Sequence, residues 1–135
     1  MTLRRAQGTI DVRFEKRAGV SAAWVKRILS GTLKAERSKA DLNVLITDDR
    51  RIRLINKKHL KHDYATDVIS FETGDLVVSA DFAKRYAREH DVPYKEELAR
   101  YLVHGALHLL GYDDKSERDF KRMHKRQEAI LKGLL

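Results

Sequence analysis

The sequence predicts an α+β domain: a small mixed sheet of about four strands covered by helices. Three observations carry this. The first 80 residues hold short segments that alternate apolar and polar side chains, separated by turn residues. Everything from Asp81 onward is helical in its periodicity. The 135 residues fall below the ~150 usually allotted to a domain, so 1–135 is expected to fold as one unit, with 1–7 disordered. A chain of this length buries roughly two-thirds of its unfolded surface, enough for a core without staples.

Residues 8–14 (GTIDVRF) set Ile10, Val12 and Phe14 against polar neighbours, the pattern of a half-buried strand. Ser21 is placed to cap a helix running to about Ala35, with Trp24, Val25, Ile28, Leu29 and Leu33 on one face. Residues 40–47 (ADLNVLIT) give a second strand. Asp48 and Asp49 put negative charge at the start of a helix reaching about His59, with Ile52 and Ile55 inward. Asn56, beside that stripe, reads as a buried hydrogen-bonding group that ties down the loop over 60–65. Residues 66–71 (TDVISF) and 76–80 (LVVSA), joined by the turn residues Thr73, Gly74 and Asp75, form a hairpin. Helices follow over 82–90, from Pro93 to about Leu110, and from Ser116 to the end. In the last of these, Phe120, Met123, Gln127, Ile130 and Leu134 make a narrow stripe expected to be core.

Composition narrows the function classes. With no cysteine, a disulfide framework and any thiolate metal site are excluded. No apolar run approaches the ~20 residues that span a bilayer, and the first ten residues lack the apolar centre of a signal peptide; a soluble, cytoplasmic protein is expected. The net charge of +8 is unevenly spread. Residues 1–39 and 115–135 together carry 17 basic and 6 acidic groups, whereas 40–114 carry 11 and 14. A polyanion would meet basic flanks around an acidic centre; equally, such flanks confer solubility.

The chemistry concentrates in residues 104–114, HGALHLLGYDD. His104 and His108 are four apart on a helix, so both imidazoles leave one face and can meet one metal ion. Leu98, Leu102, Val103, Leu107, Leu109 and Leu110 surround them, and rings buried there without partners would cost roughly 1–3 kcal/mol each. Gly111 then ends the helix, and Asp114 brings a carboxylate three residues later. Two imidazoles and one carboxylate, with positions left for water or substrate, make the catalytic pattern for zinc. The competing reading is two core histidines bonded to backbone. Gly105 follows the first histidine where the HExxH metalloproteases carry their glutamate base, which speaks against a protease. Glu97 and Tyr101 share the histidine face, either to hold an imidazole N–H or as helix surface.

This segment resembles the signature HGxLHLxGYDH of the YbeY family of metal-dependent endoribonucleases, bacterial ribosomal-RNA maturation factors. Asn56, TDVISF over 66–71 and GDL over 74–76 are similar to that family's Asn, TDVLSF and GDI elements, at matching spacing. The likeness runs from about Asp41 to Asp114. It implies a zincin-like fold, one zinc ion, hydrolysis of single-stranded RNA, and ribosome-associated maturation and quality control of rRNA. Two departures stand out. Asp114 occupies the place of the family's third histidine ligand; carboxylate is a legitimate zinc ligand, and Asp113 is the nearest substitute. Leu60 occupies the place of an arginine near the metal, with Lys61 and His62 following.

The expected ligands are therefore His104, His108 and Asp114, around a zinc ion that drives a bound water toward neutrality for attack on a phosphodiester. No dedicated general base is evident; Asp113 and Glu97 are the candidate assisting groups. Lys57, Lys58 and Lys61 either track an RNA backbone or form a solvated helix end. His124 is the one plausible fourth ligand that folding could bring near, His62 and Asp63 read as turn residues, and no aromatic stacking platform is evident. Two rival readings remain: a metal-dependent peptidase, and a non-catalytic ribosome-binding module with a structural zinc.

Overall fold

A computed structural model describes residues 6–135. Four strands and five helices follow one another as β1 (Ile10–Phe14), α1 (Ala22–Ala35), β2 (Leu42–Thr47), α2 (Asp49–Leu60), β3 (Val68–Phe71), β4 (Asp75–Ser79), α3 (Ala80–His90), α4 (Tyr94–Leu109) and α5 (Glu117–Leu134). The expected disorder over 1–7 falls mainly outside the described residues; Gln7, inside them, donates its N–H to Asp41 Oδ1 at 3.2 Å.

The helix starts follow the sequence signals. Ser21 accepts from the Trp24 N–H, Asp48 from Arg51 at 2.8 Å, Ser79 from Phe82 and Ser116 from Asp119, each satisfying a donor the first turn leaves open. Pro93 precedes α4 as its N-cap, where a missing N–H costs nothing. Asn56 is 1% exposed and donates Nδ2 to the Tyr64 carbonyl at 3.0 Å, so it does anchor the loop after α2.

The sheet order is β1-β2-β4-β3. β1, β2 and β4 are parallel, and β3 closes the edge antiparallel to β4, with Val68 opposite Val78 and Phe71 opposite Asp75. Hairpin and mixed character both match the expectation. The main core lies where α1 and α4 pack on the sheet: Val25, Ile28, Leu29, Val44, Ile46, Val78, Leu98, Leu102, Val103 and Leu107 are all buried. α2 covers part of the other sheet face through Ile52 against Ile69 and Val77.

α4 is the central helix, and Gly105 explains how it sits. A Cβ there would come within 2.9 Å of Leu76 Cδ2 and of Val68 Cγ2, so the bare backbone lies flush on β3 and β4. The Ser70 hydroxyl of β3 donates to the Gly105 carbonyl at 3.0 Å and fixes the contact. One expectation needs correction. Met123, Gln127 and Ile130 of α5 are buried, but Phe120 is 52% exposed. It stands in the first turn of α5, where it stacks on His124 instead of entering the core. No helix among the described residues is long and apolar enough to cross a membrane.

Candidate metal centre

His104 and His108 leave the one face of α4 that the core does not cover, and are about a quarter exposed. They are thus half-buried rather than sealed inside, which a ligand shared with solvent requires. Their rings lie 4.7 Å apart at 81°, edge to face.

The end of α4 brings the third group round. Gly111 has φ of 103°, a conformation natural to glycine, and the chain reverses there. Gly111 N–H donates to the His108 carbonyl and Tyr112 N–H to the Leu107 carbonyl, the paired bonds that close a helix on a left-handed residue. The same turn aims the Tyr112 carbonyl at His108 Nδ1, 3.1 Å away. Beyond it, Asp114 Oδ2 reaches 3.4 Å from His108 Nε2 and 3.9 Å from His104 Nε2.

The proton positions follow from the partners. Tyr112 offers His108 only a carbonyl, so Nδ1 carries the hydrogen. Gln127 Oε1 lies 2.7 Å from His104 Nδ1, while Gln127 Nε2 donates to Glu128 at 3.0 Å, which fixes the amide with its oxygen toward the ring. With Nδ1 engaged in each ring, Nε2 is the atom left to face the Asp114 carboxylate, and two imidazole nitrogens meeting one carboxylate oxygen is a donor set that could hold a cation. The three ligand atoms lie within 4.8 Å of one another. A tetrahedral ion at zinc-like bond lengths would draw its ligands to about 3.3 Å, against 3.4 and 3.9 Å from Asp114 Oδ2 to the two Nε2 atoms. The residues fit a divalent cation, and the outer hydrogen bonds to both Nδ1 atoms are those that metal-bound histidines characteristically make.

Gln127 is the functional residue that sequence reasoning missed. Its one signal was a polar side chain in an apolar helix stripe. It opens a polar chain: Glu128 receives three hydrogen bonds from Arg100 at 3.0–3.2 Å, and Arg100 Nη1 donates to Glu97 at 2.7 Å. Two carboxylates hold the Arg100 guanidinium well above its ordinary pKa despite burial, with Glu128 contributing most. Burial alone would raise Glu128, but its bonds from Arg100 and Gln127 win and lower it.

The other expected residues are placed differently. Glu97 is 4% exposed, lines the cavity beside the ligand group and is paired with Arg100 at 2.7 Å. Asp113 faces away from the ligand group, and its Oδ1 accepts from the Lys115 N–H at 2.8 Å. His124 lines the cavity but is not in the ligand group. Lys57, Lys58 and Lys61 are exposed at the end of α2, away from the cavity lining; Lys57 lies 3.9 Å from Asp63, and Lys61 caps the helix with φ of 62°. Leu60 is 44% exposed there. His62 stacks on Tyr64 and Asp63 bonds Arg53 at 2.8 Å, as turn residues.

A mixed sheet, a flush central helix and two histidines that meet one carboxylate at the solvent describe an α+β domain with a group that could hold a metal ion. The family model described as Endoribonuclease YbeY matches residues 10–135, so the chain belongs to that family. A Myxococcus xanthus protein named Endoribonuclease YbeY is 40% identical over 127 residues, 84% of this chain but 42% of that longer protein. A Flavobacterium psychrophilum protein of the same name is 35% identical over 90% of this chain and 91% of its own. The solution structure of TM1509 from Thermotoga maritima is similar in fold, with TM-score 0.72 and 25% identity over 93% of this chain and 89% of that one.

Proposed function

We propose that this chain is a cytoplasmic, zinc-dependent endoribonuclease that cuts single-stranded RNA during rRNA maturation and ribosome quality control. One zinc ion would be held by His104, His108 and Asp114. The family supports RNA as the substrate, since its curated members carry the name endoribonuclease. The observation that carries the reading is the meeting of two Nε2 atoms with Asp114 Oδ2 at 3.9 and 3.4 Å, in a site that leaves further coordination positions open.

Bound there, the cation would supply Lewis acidity, lowering the pKa of a coordinated water and offsetting charge on the phosphodiester. The chain's own part is to hold the two rings correctly turned, with Nε2 inward, through Gln127 and the Tyr112 carbonyl. Asp114, more than a third exposed, borders the solvent through which a polymer arrives. Lys57, Lys58 and Lys61 are exposed and would follow an RNA backbone, Lys57 in competition with its Asp63 partner, a contribution that weakens with salt. The peptidase alternative lacks its glutamate base: Gly105 stands at that position, and a Cβ there already crowds Leu76 and Val68 at 2.9 Å.

The test is cleavage of a labelled single-stranded RNA by purified protein, with chelator, with zinc restored, and with His104→Ala. Activity should vanish with chelator, return with zinc, and be absent from the variant. A zinc-loaded wild type that cuts no RNA would favour the non-catalytic ribosome-binding reading, and a His104→Ala protein as active as wild type would expose a contaminant.

A further inference from the structure

A cavity of about 340 Å³ opens beside the metal centre, between α3, α4 and the start of α5. It shares His104 and Asp114 with the centre, so whatever fills it lies next to the reacting group. Its walls bring together Phe82 and Tyr86 of α3, Tyr101 of α4 and Phe120 of α5. Phe82 packs edge-on against Tyr101; Tyr86 lies stacked on His90 and is 37% exposed; Phe120 lies stacked on His124 and is 52% exposed. Folding thus brings rings from three helices to one cavity, which no single segment of the sequence shows.

The polar lining decides what such a cavity takes. Acidic groups dominate: Asp67, Glu97 and Asp114 face a single arginine, Arg100, already neutralised by Glu97 and Glu128. A phosphate is disfavoured there, whereas an uncharged planar group is not. Asp67 Oδ1 accepts from the Val68 N–H at 2.7 Å and the Thr66 hydroxyl at 3.2 Å; its other oxygen carries no hydrogen bond among the described residues. Tyr101 is 4% exposed, and its hydroxyl has no hydrogen-bond partner among the described residues. Burial first, then the charges of Glu97 and Asp67 and the Glu97 carboxylate close beside it, raise that phenol and keep its proton. A free acceptor and an unpartnered donor match a nucleobase, since each of the four bases of RNA presents an N–H beside an acceptor on its pairing edge.

We propose that this cavity is a nucleobase subsite, which receives the splayed-out base of a nucleotide flanking the scissile phosphate and stacks it on Phe120 at the rim. The proposal rests on the nuclease reading only for which polymer delivers the base. A phosphate would then lie at the metal centre and its neighbouring base in the cavity.

The experiment titrates the isotopically labelled full chain, with zinc present, with adenosine, cytidine, guanosine and uridine, and separately with inorganic phosphate. Nucleosides should shift amide resonances around Tyr86, Tyr101 and Phe120. Phosphate, drawn to the metal centre, should shift resonances around His108 and Asp114 and leave those of Tyr86 and Phe120 in place. Phe120→Ala, at an exposed position, should weaken nucleoside binding by roughly tenfold, and Phe120→Trp should restore it. Nucleosides that leave these resonances unmoved, or bind Phe120→Ala as tightly as wild type, would overturn the subsite. A protein that takes nucleosides but cuts no RNA keeps the subsite and loses the nuclease; one that cuts RNA but takes no nucleoside loses the subsite alone.

Discussion

His104 Nδ1 is joined to Gln127 Oε1 by a 2.7 Å hydrogen bond that links α4 to α5 across 23 residues of chain. The bond turns a packing contact between two helices into the device that sets the direction of the His104 ring. Behind it, Glu128, Arg100 and Glu97 complete a closed run of charge-assisted bonds, so Gln127 has little freedom to swing away.

Gln127→Ala should therefore lower zinc affinity by about 10- to 100-fold while leaving helix content unchanged, as measured by competition with a chromophoric chelator and by circular dichroism. An affinity equal to wild type would show that His104 is oriented by its own packing.

Gly105→Ala tests the flush seating of α4. The added methyl meets Leu76 and Val68 at 2.9 Å and the Ser70 hydroxyl at 3.3 Å. The helix-propensity gain of about 1 kcal/mol should be outweighed, for a net destabilisation of about 1–2 kcal/mol in denaturant unfolding. A variant more stable than wild type would mean that β3 shifts at no cost.

The Glu128 carboxyl is held below its unfolded value of 4.5, so its contribution to stability is whole above that value and is lost as pH falls through the lower folded value. Glu128→Gln should lower the melting temperature at pH 7, and the gap from wild type should narrow toward pH 3. A gap independent of pH would place the loss in packing instead of charge.

What the sequence disclosed was local. The pairing of His104 with His108 depends only on helical spacing, the stop at Gly111 on one residue's backbone freedom, and the caps at Ser21 and Asp48 on bonds three residues long. The hairpin over β3 and β4 has its turn residues in plain view. What stayed hidden was between elements. Gln127 sits in a helical stripe whose other members are apolar, and periodicity alone ranks it as packing. Phe120 has the same spacing, yet it falls one turn before α5 reaches the core. The Arg100 network and the ring cluster around the cavity depend on how three helices are juxtaposed, which no single segment encodes.

Asp114 bears most directly on the centre, being the carboxylate at the position where the family resemblance expects histidine. Elemental analysis of purified, zinc-reconstituted protein should find about one equivalent of zinc per chain in wild type and a marked loss in Asp114→Ala. No bound metal in wild type, or full occupancy in the variant, would contradict the ligand set of His104, His108 and Asp114.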